Sequence, residues 1–313
     1  MKTRIIANCG LEISEIGLGT MTWGRDTDEY EAREQFDLFV QDGGTYIDTA
    51  DVYSDGTAEK LLGEFIAVND LVNRDDLVIA TKGGRIRNSE RSTNNTSSYL
   101  TKALEHSLQR LELDYVDVYF IHAHDSSTPL DAIADGIEKI IDSGKAKYVA
   151  VSNFSAWQIS YLAKQLNDSR FVGAQNEYSL IRREPESELL KALKYLDLGF
   201  FAWSPLGRGI LTGKYRNSIP ADSRAASPHL GQFVRSLLTD ANQKTVEALS
   251  TAASGLGCTA LELALLWVLQ NNSVTTAITG ARNAAQLRTI LHALNSELPA
   301  QIYSALNEVS ERR

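Results

Sequence analysis

Short apolar runs alternate with longer segments of helical periodicity between residues 16 and 294. Eight runs have the β-branched and aromatic content of buried strands: IGLGT, TYIDTA, LVIATK, VDVYFIH, YVAVSN, FVGAQNEY, GFFAWSPL and TTAITGA. Between the runs, apolar residues recur at the spacing of one helix face, as at Leu100, Ala103, Leu104, Leu108 and Leu111 or at Leu130, Ile133, Ile137 and Ile141. The pattern predicts eight parallel strands connected by helices.

Eight such units favour an α/β fold closed into a (β/α)8 TIM barrel, with residues 1–313 as one domain. An open, doubly wound sheet is the alternative. That fold normally carries a G-x-G-x-x-G turn after its first strand, whereas the first strand here ends GLGTMTWG. The segment GRGILTG at 207–213 has Thr212 in place of the third glycine. The missing fingerprint favours the barrel.

One connection is much longer than the others. From Trp203 to Gly280 the chain advances 280 − 203 = 77 positions, against about thirty between earlier strand ends. Residues 207–235 contain Pro220, Pro228 and several glycines and serines, and two helical patterns follow them. A long loop at the active face of a barrel commonly covers a ligand. We call residues 207–235 the belt loop.

The charge balance limits the partners. Lys and Arg total 31 and Asp and Glu total 40, which gives a net charge of −9 and argues against nucleic acid or a membrane surface as the main partner. Cys9 and Cys258 are too few for a disulfide framework, so a reducing cytoplasm is expected. The most apolar run, LELALLWVL, is short and carries Glu262, so we predict neither export nor a membrane span.

Polar residues close almost every predicted strand: Thr20, Asp48, Lys82, His122, Ser152 with Asn153, Gln175 with Glu177, Trp203 with Ser204, and Gly280. The carboxyl ends of barrel strands converge on one face, where barrel enzymes carry their chemistry. We therefore predict that Asp48, Lys82 and His122 meet there, together with Tyr53 from the loop after the second strand.

These four side chains suit proton transfer to a carbonyl oxygen. The phenol of Tyr53 has an ordinary pKa of about 10 and is a weak acid unless its conjugate base is stabilised. Lys82 would lower the pKa of Tyr53, and Asp48 would hold Lys82 charged. His122 would orient the carbonyl oxygen, donate a hydrogen bond or share the proton. For Asp48 a structural interpretation is helix capping, although Thr57 is the better N-cap candidate for TAEKLLGEF.

A metal site is the competing interpretation of the segment HAHD, which contains His122, His124 and Asp125. Barrel metallohydrolases of the amidohydrolase type carry such a histidine pair at the end of the first strand, but here the first strand ends in GLGT. We therefore predict no metal.

Several motifs resemble those of the aldo-keto reductases, in the same order and along essentially the whole chain: GLGTMTWG, YIDTADVYSDGTAEKLLGEFI, VIATKGG, DYVDVYFIHAHD, YVAVSNFS, AQNEYSL, AWSPLGRGILTGKYR and TGARNAAQL. Within that superfamily the chain is similar to bacterial reductases and potassium-channel beta subunits. The five-residue step from Asp48 to Tyr53 and the 29-residue step to Lys82 match the family's catalytic pattern. The resemblance implies that Tyr53 donates a proton, with Asp48, Lys82 and His122 around it, while NADPH provides the hydride.

The resemblance also implies the residues that bind NADPH or NADP+. Thr20, Met21 and Asp48 would lie beside the cofactor. The nicotinamide carboxamide would be bound by Ser152, Asn153 and Gln175, and the nicotinamide ring would stack on Trp203. The pyrophosphate would be bound by Ser204, Pro205, Leu206, Gly207 and Gly209, and the adenosine phosphate end by Lys214, Arg224, Gly280, Arg282 and Gln286. Relatives commonly have a Glu-Asn pair for the adenine where this chain has Thr289 and Ile290.

Two functions are therefore expected for this chain. The first is an NADPH-dependent reductase of a small aldehyde or ketone. The second is a nucleotide-sensing regulatory subunit of the channel-beta type, and His122 favours the first because those subunits carry a different residue there. Specificity is expected in the loops at 20–30, 83–95, 123–129 and 207–235.

Overall fold

The computed structural model describes residues 1–87, 92–221 and 223–311. Residues 88–91 of the predicted specificity loop 83–95, residue 222 of the belt loop and residues 312–313 of the predicted domain lie outside the described residues.

An antiparallel hairpin precedes the barrel. Its strands are β1 (Thr3–Ile6) and β2 (Leu11–Ser14), and Gly10 takes a positive φ of 73° in the turn. Ile6 and Ile13 pack into one apolar cluster with Tyr46 and Val78, the first residues of two barrel strands. The hairpin therefore closes the amino-terminal end of the barrel. The sequence pattern did not predict it.

Eight parallel strands form a closed barrel in the order β10-β3-β4-β5-β6-β7-β8-β9. Each strand overlaps one of the predicted runs: β3 (Ile16–Gly19), β4 (Tyr46–Asp48), β5 (Val78–Gly83), β6 (Val116–Ile121), β7 (Ala146–Ser152), β8 (Phe171–Glu177), β9 (Gly199–Trp203) and β10 (Thr276–Thr279). β5 ends one residue after its run, and β7 begins two residues before its run. The (β/α)8 TIM barrel is confirmed. Its register sets Asp48 beside Gly19 on one side and Ala80 on the other.

Helices surround the barrel: α1 (Glu29–Gln41), α2 (Thr57–Val68), α3 (Ser97–Leu111), α4 (Leu130–Asp142), α5 (Ala156–Leu166), α6 (Leu189–Tyr195), α7 (Gly231–Arg235), α8 (Asp240–Leu256), α9 (Ala260–Gln270), α10 (Ala284–His292) and α11 (Ala300–Ser310). α3 buries the predicted leucines, while Ala103 is only partly buried. α4 likewise buries its isoleucines against the main apolar core between helices and strands. Amphipathic periodicity thus located both helices correctly.

The start of α2 differs from the prediction. Thr57 is the first helical residue, and the N-cap is Gly56 with φ 89°, so the assignment of Thr57 as N-cap is wrong. Ser54 and Asp55 also have positive φ, 48° and 54°. Three successive left-handed residues turn the chain sharply between β4 and α2, and Tyr53 stands at the start of this turn.

The long connection between β9 and β10 holds the belt loop, α8 and α9. The belt loop is more ordered than predicted, because it contains 3₁₀ turns at Gly207–Thr212 and Arg224–Ala226 as well as the short helix α7. Among the described helices, none is by itself long and apolar enough to span a membrane; α8 and α9 reach that length and composition only as a pair, bent by 101°.

Candidate active site

A cleft of about 690 Å³ opens at the carboxyl ends of the barrel strands. Most predicted site residues line it: Met21, Asp48, Tyr53, His122, Ser152, Asn153, Gln175, Trp203, Ser204, Pro205, Leu206, Gly209, Lys214, Arg224, Gly280, Arg282 and Gln286. The barrel therefore brings together side chains that are spread over more than two hundred positions of the sequence.

Three predicted residues lie behind the lining of this cleft. Thr20 is buried and donates its hydroxyl to the carbonyl oxygen of Asp48 at 3.2 Å. Gly207 has φ 56°, and a Cβ there would come within 2.6 Å of the Ile181 side chain. Lys82 is fully buried behind Tyr53. Thr20 and Gly207 thus shape the wall, and their assignment as cofactor-binding residues stays a prediction.

Asp48 and Lys82 form a buried ion pair. The Lys82 Nζ donates to Asp48 Oδ1 at 2.5 Å and to the Thr49 carbonyl at 2.8 Å. The second carboxylate oxygen, Oδ2, accepts from Gln175 Nε2 at 2.7 Å and from the Tyr46 hydroxyl at 3.4 Å. A buried charge needs both a counter-charge and satisfied hydrogen bonds. These contacts meet that requirement and fix the Lys82 ammonium in one position.

Tyr53 lies between this ion pair and the cleft. Its hydroxyl is 3.4 Å from Lys82 Nζ, and its ring meets the His122 ring edge-on, with centroids 6.1 Å apart. Burial raises the pKa of Tyr53, Lys82 lowers it and Asp48 raises it, and the resulting pKa lies above the ordinary value. Lys82 lowers the pKa of Tyr53, as predicted, but by less than burial raises it. The phenol is consequently protonated at neutral pH.

His122 is a neutral imidazole. Burial holds its pKa well below the usual range, and the nearby cations Lys82 and Arg85 lower it further. Its Nδ1 is buried and has no hydrogen-bond partner among the described residues. A neutral imidazole keeps one donor and one acceptor nitrogen, so His122 is able to bond a polar group of a ligand without bringing charge into the cleft.

The other two polar residues of the HAHD segment serve different purposes. The His124 ring packs edge-on against Phe154 at 5.3 Å. Asp125 accepts from the Asn95 and Ser127 amides at 3.1 and 3.0 Å and from the Thr128 hydroxyl at 2.6 Å, which braces the loop. Within the described ranges, no three His, Cys, Asp or Glu side chains are grouped as metal ligands.

An aromatic wall faces the cleft at the end of β9. Trp203 donates through Nε1 to Asn153 Oδ1 at 3.2 Å and stacks on Phe233 of α7, with centroids 6.4 Å apart. Asn153 in turn donates from Nδ2 to Ser152 Oγ at 2.9 Å and to the His122 carbonyl at 3.1 Å. The Asn153 amide therefore holds Trp203 in place, while its contact with the nicotinamide carboxamide stays a prediction.

Arg208 fastens the belt loop to the barrel. Its guanidinium binds both Glu177 oxygens, at 2.8 and 2.7 Å, and donates to the Phe233 carbonyl at 2.6 Å. It also lies 3.5 Å above the Phe233 ring. Sequence reasoning missed Arg208 and Phe233. The available hint was Glu177, a carboxylate at a strand end without an assigned partner.

Cations gather at another part of the cleft. Arg224 donates to the Gly280 carbonyl at 2.7 Å, and Lys214 and Arg282 line the same cleft. The Arg282 amide donates to Gln286 Oε1 at 3.1 Å, at the start of α10. Thr289, on the same helix, donates its hydroxyl to the Ala285 carbonyl at 3.1 Å, while Ile290 is buried. Both also line the cleft.

Comparison with known proteins decides the family. The model described as "Aldo/keto reductase family" matches residues 15–311. The chain belongs to the aldo-keto reductase family. It is therefore an NAD(P)H-dependent oxidoreductase that acts on a small molecule.

Three relatives of this aldo-keto reductase cover nearly the whole chain. A probable voltage-gated potassium channel subunit beta from Oryza sativa subsp. japonica is 34% identical over 94% of this chain and 92% of its own. The uncharacterized oxidoreductase YrpG of Bacillus subtilis (strain 168) is 33% identical over 99% and 96%. A probable channel subunit beta from Arabidopsis thaliana is 32% identical over 94% and 92%.

Asp51 carries an unusual charge state behind the site of the aldo-keto reductase. Its amide donates to the Lys82 carbonyl at 3.0 Å. Burial and the neighbouring Glu59 raise the pKa of Asp51 to about 7, although Arg110 opposes them. Its Oδ1 is buried with no hydrogen-bond partner in the part of the chain that the structure describes. Ionising Asp51 therefore costs folding free energy.

We expect Asp51→Asn to stabilise the protein at pH 8 by about 1 to 3 kcal/mol, because one unit of pKa shift corresponds to about 1.4 kcal/mol and partial exposure reduces the effect. Between the unfolded pKa of about 3.9 and the folded value near 7, the folded state keeps a proton that the unfolded state loses, so wild-type stability falls as pH rises. Urea denaturation from pH 4 to 8 measures this slope. Asp70→Asn, at an exposed position, is the control, and equal slopes in wild type and Asp51→Asn would contradict the expectation.

Proposed function

We propose that this oxidoreductase reduces an aldehyde or ketone to an alcohol with NADPH, and that Tyr53 donates the proton. The observation that carries the proposal is the protonated phenol of Tyr53, 3.4 Å from the buried Lys82 ammonium and beside the neutral His122. This arrangement suits general acid catalysis, because the conjugate base of the acid is stabilised by a fixed cation.

The residues around the cleft are compatible with a phosphorylated dinucleotide. Gly209 takes φ 93°, and a Cβ there would come within 3.3 Å of the Lys214 Cε and Nζ atoms. Lys214, Arg224 and Arg282 supply positive charge in a chain whose net charge is −9. Trp203 offers a flat aromatic surface for the nicotinamide, with Ser152 and Gln175 beside it. We assign the belt loop the role of covering the cofactor.

NADPH supplies the hydride when it is bound. His122 would hydrogen-bond the carbonyl oxygen and set its position relative to Tyr53. Tyr53 would then transfer its hydroxyl proton to that oxygen as negative charge develops there. Lys82 would stabilise the resulting phenolate, and Asp48 would keep Lys82 charged and in place, since their side chains are 2.5 Å apart.

The test is NADPH oxidation by the purified protein against a panel of aldehydes, ketones, sugars and pyridoxal. Turnover of at least one carbonyl class supports the proposal.

The channel-beta names of two relatives favour a second candidate, a nucleotide-sensing regulatory subunit with little turnover. Tight NADPH binding without oxidation across the panel would favour that candidate.

Arg282→Ala should weaken NADPH binding by about 1.5 to 3 kcal/mol and leave NADH binding almost unchanged, because a guanidinium makes charge-assisted hydrogen bonds to the 2′-phosphate that only NADPH carries. Quenching of tryptophan fluorescence measures both affinities, since Trp203 lines the cleft.

Arg288→Ala is the matched control, because Arg288 lies on α10, the helix that follows Arg282, and is ion-paired with Glu34 at 2.8 Å. Thr289 and Ile290, in place of the Glu-Asn pair, are expected to reduce the affinity for both nucleotides alike. An unchanged NADPH to NADH affinity ratio in Arg282→Ala would show that Arg282 does not distinguish the 2′-phosphate.

A further inference from the structure

Arg85 presents a positive charge to the part of the cleft where Tyr53 and His122 meet. It follows β5 on a short antiparallel ribbon, in which Arg85 is bridged to Thr93 and the Ile86 amide donates to the Ser92 carbonyl at 2.9 Å. The Tyr99 hydroxyl donates to the Arg85 carbonyl at 3.4 Å. These contacts fix the backbone of Arg85 and thereby hold its Cα at a defined position on the cleft wall.

Two other arginines that line the cleft already have carboxylate partners. Arg87 binds Asp55 at 2.9 Å, and Arg25 binds Asp26 at 2.8 Å. The Arg85 guanidinium, in contrast, makes no hydrogen bond or ion pair with any residue in the ranges 1–87, 92–221 and 223–311, and it is exposed and lines the cleft. A guanidinium presents five donors in a planar fork, and within these ranges none of the Arg85 donors is used.

The electrostatic effect of Arg85 reaches the reacting groups. Its charge lowers the pKa of both Tyr53 and His122. The charged neighbours that act on His122 are Lys82 and Arg85, both cations. This corner of the cleft is therefore positive although the whole chain carries a net charge of −9. A positive corner in an acidic protein attracts anionic ligands selectively.

We infer that Arg85 binds a carboxylate of the substrate, and that the preferred substrates are aldehydes or ketones with a carboxylate remote from the carbonyl. The inference rests on the proposed reductase function. A guanidinium pairs in a bidentate geometry with either a carboxylate or a phosphate, but a carboxylate carries one negative charge whereas a phosphate monoester carries about −1.5 to −2 at pH 7. Arg25 and Arg87 are held by Asp26 and Asp55, so Arg85 is the one of these three arginines without a carboxylate partner in the described part of the chain, and its single charge matches that of a carboxylate. Val52 and Ile86 line the same cleft and offer apolar contact to a carbon skeleton.

The test compares 4-carboxybenzaldehyde with methyl 4-formylbenzoate, which differ in charge but little in shape. In the wild type, kcat/KM for the acid should exceed that for the ester by about tenfold, mainly through KM, because one charge-assisted contact is gained. Arg85→Gln should remove this preference and bring the ratio of the two kcat/KM values to about one. The lost charge also raises the pKa of Tyr53, but that change acts on both substrates alike and cancels in the ratio. Arg87→Gln is the matched control, since Arg87 is already paired with Asp55, and it should keep the preference.

Phosphate is examined with glyceraldehyde 3-phosphate and glyceraldehyde under the same conditions. A phosphate preference that depends on Arg85, without a carboxylate preference, would overturn the assignment of the carboxylate. If the charged and the neutral substrate of each pair have equal kcat/KM, Arg85 does not bind an anion of the substrate. That result would not contradict the reductase function.

A binding measurement separates the anion site from turnover. Calorimetric titration of the NADP+-loaded protein with 4-carboxybenzaldehyde forms a complex that cannot be reduced. We expect binding about tenfold tighter than for the methyl ester in the wild type, and equal binding in Arg85→Gln. Arg85-dependent binding without reduction of any aldehyde would support the anion site while contradicting the reductase function. Binding that is equal in wild type and Arg85→Gln would overturn the inference.

Discussion

Tyr53→Phe is expected to lower kcat for carbonyl reduction by about 100- to 10,000-fold, the usual contribution of a general acid. The substitution removes only the hydroxyl, and Lys82 keeps its contacts with Asp48 and with the Thr49 carbonyl. NADPH affinity should therefore change little. Steady-state kinetics together with fluorescence titration of NADPH measure the two effects separately.

The matched control is Tyr161→Phe. Tyr161 lies on α5, and its hydroxyl donates to Asp131 at 2.5 Å on the protein surface. It should retain wild-type turnover. If Tyr53→Phe also reduces carbonyl substrates at the wild-type rate, Tyr53 is not the proton donor.

Lys82→Met should have two large effects. It removes the cation that lowers the pKa of Tyr53, so the phenol becomes a weaker acid and kcat falls by about 100-fold or more. It also leaves the Asp48 carboxylate buried without a counter-charge, which costs about 3 to 5 kcal/mol of folding free energy. Urea denaturation and single-turnover kinetics test the two effects.

The double variant Asp48→Asn/Lys82→Met separates stability from chemistry. It removes both charges, so it should be more stable than Lys82→Met, while its turnover stays low because Tyr53 still lacks the cation. A folded double variant with wild-type turnover would contradict the role of Lys82.

The pH dependence gives a further check on Lys82→Met. In the wild type the pKa of Tyr53 lies above its ordinary value of about 10, so the acid form persists and the reduction rate should be flat from pH 6 to 9. At higher pH the phenol loses its proton and the rate falls. Without Lys82 the pKa of Tyr53 rises further, which moves this fall to higher pH. Identical profiles in the two proteins would rule out coupling between Lys82 and Tyr53.

Local pattern was sufficient for the barrel and for the ends of its strands. The eight apolar runs were each long enough to identify a strand, and the parallel arrangement then required Asp48, Lys82 and His122 to lie at one face. A lysine at the end of a buried run needs a carboxylate as counter-charge, and Asp48 Oδ1 lies 2.5 Å from Lys82 Nζ. These inferences succeeded because they need only the side-chain period and the direction of each strand.

Contacts between distant segments were beyond such reasoning. The strands of the β1–β2 hairpin carry exposed polar residues and form no fully buried apolar run, and the hairpin is stabilised by packing into the barrel. Arg208 binds Glu177, 31 positions away, and reaches the Phe233 carbonyl, 25 positions away. The direction of the Thr20 hydroxyl, away from the cleft, likewise depends on the Asp48 carbonyl of the next strand.

The sequence by itself therefore determined the strand order, the face that carries the chemistry and the residue types available there. The tertiary structure alone decided which of these side chains are protonated and which are already paired with another side chain. Burial outweighs Lys82 and raises the pKa of Tyr53, because desolvation depends on every neighbour of the phenol. Asp55 and Asp26 pair with Arg87 and Arg25, while the Arg85 guanidinium has no partner within the described ranges, which is the basis for the carboxylate site inferred above. Both outcomes arise from distances that exist only once the barrel has closed.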